Sequence, residues 1–252
     1  MSELVKGIVH VHSDFSRDGL CSIADLADFA REAGFQFVGL TDHAEDLTSA
    51  DMKELRLLCE KHSDDSLIMI PGLEYRCRGG IHILGLGIAH DISTDDPVLV
   101  ASRIRQEGGL AILAHPGRSG YQCAPELCAA LDGIEIWNAG YDGLFVPSLE
   151  NFRLLGRVRV VNSSLFGIGG ADLHGFHRPP GVILELIING STGIDPRIIL
   201  EHIGTGKFSI RGRYVRFSAY TVPHRLARVR LWVFRKLYEV SKAIRDVALG
   251  EN

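Results

Sequence analysis

Two short patterns bring ligand-type side chains together, His10-Val11-His12 near the start of the chain and Asp172-Leu173-His174 far along it. Residues two apart on an extended strand point to the same side, so each pair could present two groups to one cation. Neutral imidazole combined with carboxylate suits Zn, Mn or Fe. Between the pairs stand Asp42-His43, Glu74, His82 and His115-Pro116, and Asp18 lies six residues after His12. Each motif alone is commonplace: an HxH in a strand is often incidental, and a single DxH can be an exposed turn. Together they carry more weight, because most of them follow an apolar run in the same sense. Burying so many polar groups without partners would cost roughly 1–3 kcal/mol apiece, and a shared metal cluster removes that cost.

The elements that must position these groups read as an alternation. Apolar runs cover residues 5–11, 35–40, 67–73, 81–88, 110–114, 133–137, 158–161, 166–171 and 182–188. Helical spacing is found over 22–30 (with Ser22 as N-cap and Ala33-Gly34 as the stop), 50–62, 97–107 and 147–156. A turn at Gly79-Gly80 predicts a hairpin into the run from Ile81. Strand–helix alternation predicts an α/β domain with a mostly parallel sheet. In a parallel α/β barrel the C-terminal strand ends meet at one face, where active sites are built. Ligands spread over more than 160 positions could therefore converge.

With 252 residues, the chain suffices for one barrel-sized domain or two small ones. It shows no repeat, low-complexity stretch or long linker, so one domain over 1–205, followed by a segment over 206–252 packed on it, is the simplest organisation. No apolar run reaches the ~18–20 residues of a membrane helix, and residues 1–7 carry no apolar leader, which predicts a cytoplasmic protein. The five cysteines form no CxxC pair, so neither a disulfide framework nor a zinc knuckle is expected. Net charge is −4, but residues 207–238 hold nine Lys/Arg and no acid, leaving the rest at −13. That basic segment reads as a hairpin over 207–221 and a helix from Pro223. Its apolar positions are Leu226, Val229, Val233, Leu237, Val240, Ile244 and Val247. Three roles fit it: a helix closing the body, a steering surface for nucleic acid, or a helix resting on anionic lipid.

The ligand motifs, in this order, resemble those of the PHP (polymerase and histidinol phosphatase) superfamily. The resemblance is carried by His10-Val11-His12-Ser13, Ser16-Arg17-Asp18-Gly19, Thr41-Asp42-His43, Gly72-Leu73-Glu74, His82, His115-Pro116 and Gly170-Ala171-Asp172-Leu173-His174-Gly175. It implies a distorted (β/α)7 TIM-like barrel with a trinuclear centre of two or three divalent ions. By the same resemblance His10, His12, Glu74 and Asp172 would hold one ion. Glu74 would bridge to a second held by His82 and His115, and Asp18, His43 and His174 would hold a third. Asp14 stands close enough to be the alternative to Asp18, and Ala171 replaces the Ser that many members carry before the Asp, a change that removes no ligand.

The chemistry implied is attack of a metal-bridging hydroxide on phosphorus in line, with the cations neutralising the phosphoryl and leaving oxygens. Arg17 and Arg118 are candidate phosphate clamps, with a surface arginine as the plainer alternative for each. His177 is a candidate proton donor to the leaving group or a solvated loop residue. Asp42 is a carboxylate that could orient His43 or its neighbours. His62, His90, His202 and His224 lack ligand-type company. The expected activity is hydrolysis of a phosphate mono- or diester of a small metabolite or short nucleotide. The competing expectations are an exonuclease acting on nucleic acid ends, an amidohydrolase-type metal hydrolase, and a non-catalytic metal-binding interaction module. The oligomeric state is left open.

Overall fold

The computed structural model describes residues 2–177, 179–189 and 194–249, with side chains to residue 240. The apolar positions Ile244 and Val247 therefore lie outside the described side chains. In chain order the elements are β1 (Ser2–Val11), α1 (Ile23–Glu32), β2 (Phe37–Leu40), β3 (Asp42–His43), α2 (Ser49–His62), β4 (Ile68–Ile70), β5 (Gly72–Arg76), β6 (His82–Leu86), α3 (Pro97–Gln106), β7 (Leu110–Leu113), α4 (Pro125–Ala130), β8 (Gly133–Asn138), α5 (Leu149–Val158), β9 (Phe166–Gly170), β10 (Ile183–Asn189), α6 (Pro196–Gly204), β11 (Phe208–Arg211), β12 (Arg216–Ser218) and α7 (Arg225–Leu249). Capping boxes start α1, through Ser22 and Asp25, and α2, through Thr48 and Asp51. Ile23, Leu26, Ala27 and Ala30 then form the buried face of α1.

The strands form two six-stranded sheets, in the orders β12-β11-β10-β1-β2-β4 and β3-β5-β6-β7-β8-β9. The fold is thus mixed α/β, and the sheets are less parallel than the alternation predicts. β5, β6 and β7 pair antiparallel, as do β1, β10, β11 and β12. For the β5–β6 pair the physical reason is connection length. The few residues around Gly79-Gly80 allow only a reversal, because a parallel partner needs a crossover of a dozen residues or more. The apolar run over 158–161 is no strand: Val158 ends α5 and Val160 is 86% exposed. Helices α4 and α6 went unread, although Asp195-Pro196 is a cap followed by a first-turn proline.

The sheets are laced together where the chemistry-bearing residues lie. Beyond β9, the Ala171 amide donates to the Val9 carbonyl (2.9 Å) and the Leu173 amide to that of His10 (3.2 Å). The His12 amide returns to Leu173 (2.8 Å), and the Thr41 amide donates to Val11 (2.8 Å). Segments 10–12, 41–43 and 171–174 are therefore neighbours. Under them lies one apolar core whose largest fully buried members are Trp137, Phe37 and Phe166.

The C-terminal segment continues the first sheet through β11 and β12. Leu231 is the buried residue among the described side chains of α7; Arg235 donates to the Asp142 carbonyl, and Tyr238 meets Phe145 edge-on at 5.6 Å. Among the described residues, no helix is long and apolar enough to cross a membrane.

Candidate metal centre

Three of the nine candidate ligands sit in a left-handed backbone conformation: His10 (φ 63°), His115 (φ 23°) and Asp172 (φ 48°). For a non-glycine residue this costs of order 1–3 kcal/mol and persists only where the surroundings enforce it. At His10 the cause is visible. Val9 pairs with Gly39 and Val11 with Leu40, so His10 is the extra residue of a bulge. Strand alternation is thus not why His10 and His12 face one side. The bulge re-aims His10, and His12 lies beyond the strand end. Asp172 and His174 likewise lie past β9, in irregular backbone.

Glu74 is the hub. Its Oε1 lies 2.6 Å from His82 Nδ1 and 2.8 Å from His115 Nε2. Its Oε2 lies 3.4 Å from His10 Nε2, 3.5 Å from His12 Nε2 and 3.4 Å from His43 Nδ1. Asp172 Oδ1 stands 3.4, 3.7 and 3.8 Å from His10 Nε2, His12 Nε2 and His174 Nδ1. Asp18 Oδ2 is 3.4 Å from the Nε2 atoms of both His43 and His174, so Asp18, not the exposed Asp14, meets these rings. Four overlapping groups each have ligand atoms within 4.8 Å of one another: His12/Asp18/His43/His174, His10/His115/Asp172, His10/His12/Glu74 and Glu74/His82/His115. All nine candidates fall in at least one. Burial decreases from Glu74, His10 and His12 outwards to Asp18, whose side chain is half exposed.

The spacings suit cations. Two atoms about 2.1 Å from one ion, at tetrahedral or octahedral angles, stand about 3.0–3.4 Å apart, and several nitrogen–oxygen gaps here are 3.4 Å, long for hydrogen bonds. Buried His12 Nε2 and His43 Nδ1 face carboxylate oxygens without a hydrogen-bond partner among the described residues; His82 Nε2 and His115 Nδ1, the ring nitrogens that do not meet Glu74, are also buried without one. The donor set therefore fits divalent ions.

Burial works against charge on His10, but Glu135, Asp172 and Glu74 outweigh it and hold its pKa well above the ordinary imidazole value. Burial prevails at His12, against the pull of Glu74, and with His10, His174 and His43 close by its pKa lies well below that value. Burial would raise the Glu74 pKa, yet the charge of His10 and hydrogen bonds from three imidazoles hold it well below the usual carboxylate range.

Glu135 was not anticipated. Fully buried on β8, it takes His10 Nδ1 at 2.7 Å on Oε1, and the His115 amide (2.7 Å) and Asn138 Nδ2 (2.8 Å) on Oε2. Its signal was one acid inside the apolar stretch Gly-Ile-Glu-Ile-Trp-Asn. Tyr141, also unanticipated, lays its ring 4.6 Å from that of His115.

The other candidates divide. Asp42 is buried, and its hydrogen-bond partners among the described residues are serines rather than imidazoles. It accepts from the Ser13 amide (2.7 Å), Ser13 Oγ (2.8 Å) and Ser16 Oγ (2.7 Å), and Ser16 Oγ in turn takes the His43 amide at 2.9 Å. Burial raises the Asp42 pKa despite these bonds. Arg118 reaches the rim, donating to Tyr141 Oη at 3.1 Å. Arg17 turns to Asp46, 3.8 Å away, with a side chain 71% exposed. His177 is exposed and belongs to none of the four groups.

A family model described as the PHP domain matches residues 9–94, which hold six of the nine candidate ligands. Two solved structures share the fold. A two-domain protein from Bacteroides vulgatus containing a predicted PHP-like metal-dependent phosphoesterase is 19% identical, with TM-score 0.60. The match covers 85% of this chain and 66% of that one, so the chain spans just under two thirds of that relative. A protein from Bifidobacterium adolescentis, predicted to be a metal-dependent phosphoesterase, is 18% identical with TM-score 0.51, over 77% of this chain and 94% of that one. No curated protein matches the chain. The chain is thus similar to PHP domains over residues 9–94, and its fold is shared with proteins described as PHP-like.

Proposed function

We propose that this chain is a metal-dependent phosphoesterase hydrolysing a phosphate mono- or diester of a small metabolite or short nucleotide, at a centre of two or three Zn, Mn or Fe ions. The observation that carries this reading is the convergence of six imidazoles and three carboxylates, drawn from positions 10 to 174, into four overlapping ligand groups. The two laced sheets are then the parts of a distorted (β/α)7 barrel, with the described part of the C-terminal segment, residues 206–249, packed on its body.

His10, His12, Glu74 and Asp172 would hold one ion, Glu74, His82 and His115 a second, and Asp18, His43 and His174 a third. Divalent ions there supply charge to neutralise phosphoryl oxygens and make a bound water acidic near neutral pH. The protein's own groups do the positioning. Glu135 holds His10 Nδ1, so that Nε2 faces Glu74 and Asp172. Asp42 fixes the loop carrying Ser13 and Ser16, and through Ser16 the backbone of His43. Arg118 is the rim cation for a phosphate oxygen, and exposed His177 is the candidate donor to a leaving oxygen.

The test is elemental analysis of the purified protein together with phosphate release from nucleoside bisphosphates, oligonucleotides and histidinol phosphate. Bound metal and chelator-sensitive release from a small ester are expected. A folded protein without metal, or release indifferent to a chelator, would overturn the proposal.

A further inference from the structure

Helix α7 is inverted relative to an ordinary surface helix. At 3.6 residues per turn, Leu226, Val229, Val233, Leu237 and Val240 form one stripe, nearly opposite Leu231, the residue that α7 buries. All five are exposed, Leu237 by 62%. The apolar sector therefore points away from the body, except at one edge, where Leu237 and neighbouring Phe234 line an apolar groove with Phe145, Val146, Tyr214 and Val215. Arg225 and Lys236 border it on one side and Arg230 on the other; Trp232 and Phe234, both more than half exposed, lie just beyond these borders. Over residues 207–238 there are nine Lys/Arg and no acid, on a body that is otherwise strongly acidic.

We propose that the outward face of α7 is a docking surface for an anionic lipid bilayer. An interfacial helix needs an apolar sector that enters the acyl boundary, aromatic rings beside it, and cations at the border whose stems lie along the apolar zone while their heads meet phosphates. α7 supplies all three on one side. Charge argues against a second copy of the chain as occupant. A two-fold mate would bring the bordering cations Arg225, Arg230 and Lys236 toward one another across the axis, and Glu239 already pairs with Arg235 (3.0 Å) and Lys236 (2.7 Å). Nucleic acid is disfavoured by direction. Arg228 and Arg235 turn back to the carbonyls of Pro223 and Asp142, and the most outward sector is apolar. Arg235 and Tyr238 rest on the loop after β8 that also carries Tyr141, so the lipid surface would adjoin the rim of the metal centre.

The test is co-sedimentation of the full chain with vesicles of phosphatidylcholine alone and of equal parts phosphatidylcholine and phosphatidylglycerol, read also by tryptophan fluorescence. Trp137 is fully buried, so a blue shift on binding reports Trp232. Binding at least about tenfold tighter to the anionic vesicles is expected. The pair Arg225→Ser/Arg230→Ser should weaken it about 25-fold, at about fivefold per cation. The pair Val233→Ser/Leu237→Ser should weaken it about tenfold or more without altering charge. Both pairs are exposed, and unchanged thermal unfolding checks the fold. Quenching of wild-type Trp232 by brominated anionic lipid tests the contact without any variant. The proposal is overturned by equal binding to neutral and anionic vesicles, by variants that bind like wild type, or by absent quenching. It is equally overturned by a dimer that the Val233→Ser/Leu237→Ser pair dissolves, or by oligonucleotide binding without vesicle binding.

Discussion

Glu135 Oε1 lies 2.7 Å from His10 Nδ1, and the other oxygen of the same carboxylate accepts the amide of His115. One buried acid therefore fixes two candidate ligands, one on β1 and one just past β7, both in left-handed backbone. Glu135→Gln keeps the size but removes the charge; with its oxygen on the His115 and Asn138 donors, it presents an amide donor to His10 Nδ1 in place of an acceptor. Orienting partners of this kind are worth about 10–100-fold in metal affinity. Chelator competition should show a loss of that size with the fold retained. Wild-type affinity would mean that His10 is held by packing alone.

Gly170 bears on the same carboxylate. A Cβ there would stand 1.7 Å from Glu135 Oε1 and 3.2 Å from His10 Cβ. Gly170→Ala must displace Glu135, and overpacking of this kind costs about 1–3 kcal/mol. Its effect on metal affinity should not add to that of Glu135→Gln, because both act through one group. A double variant that loses the full sum of the two would refute this coupling.

His12→Ala and Asp172→Ala remove members of separate but touching ligand groups. Each is expected to abolish hydrolysis and lower metal content, measured on the same sample. Full turnover in either variant would count decisively against the centre.

The two candidate arginine clamps separate cleanly. Arg118 stands at the rim on Tyr141 Oη, whereas Arg17 is turned to Asp46. A charge-assisted bond is worth about 1.5–3 kcal/mol, so Arg118→Ala should raise KM about 10–100-fold with a smaller change in kcat. Arg17→Ala should leave both near wild type. The reverse pattern in steady-state kinetics would move the phosphate to the Arg17 side.

The candidate ligands were legible as a set because their identities are chemically unusual at the ends of apolar runs, as with Glu74 after 67–73 and His115 after 110–114. What aims them was not. Nothing in Val9-His10-Val11 announces a bulge, so the shared side of His10 and His12 was explained by alternation when backbone strain does it. Glu135 was hidden by its setting, since one acid in a buried strand has no meaning until its partners, far away in sequence, are in place. The strand expected over 158–161 failed because apolar content alone does not separate a helix end from a strand. The antiparallel return of β6 was legible in the Gly79-Gly80 turn, whereas that of β10 depends on pairing with β1, distant in sequence, which local pattern leaves undetermined.

Asp142 offers a test in stability. It is buried beside the centre, accepts the Asn138 amide (3.0 Å) and Asn151 Nδ2 (2.8 Å), and burial raises its pKa to about 6 against these bonds and nearby Arg235. The unfolded carboxyl titrates near 3.8, so between about pH 4 and 6 the folded state holds the extra proton. Stability must then fall as pH rises through that window, by up to about 3 kcal/mol. Asp142→Asn keeps an oxygen for both donors and cannot ionise. Urea unfolding of metal-saturated protein should show the variant gaining on wild type from pH 4 to 6 and holding a lead of about 1–3 kcal/mol above it. A constant difference across that range would mean that Asp142 is charged in the folded protein at no cost, with Arg235 offsetting its burial.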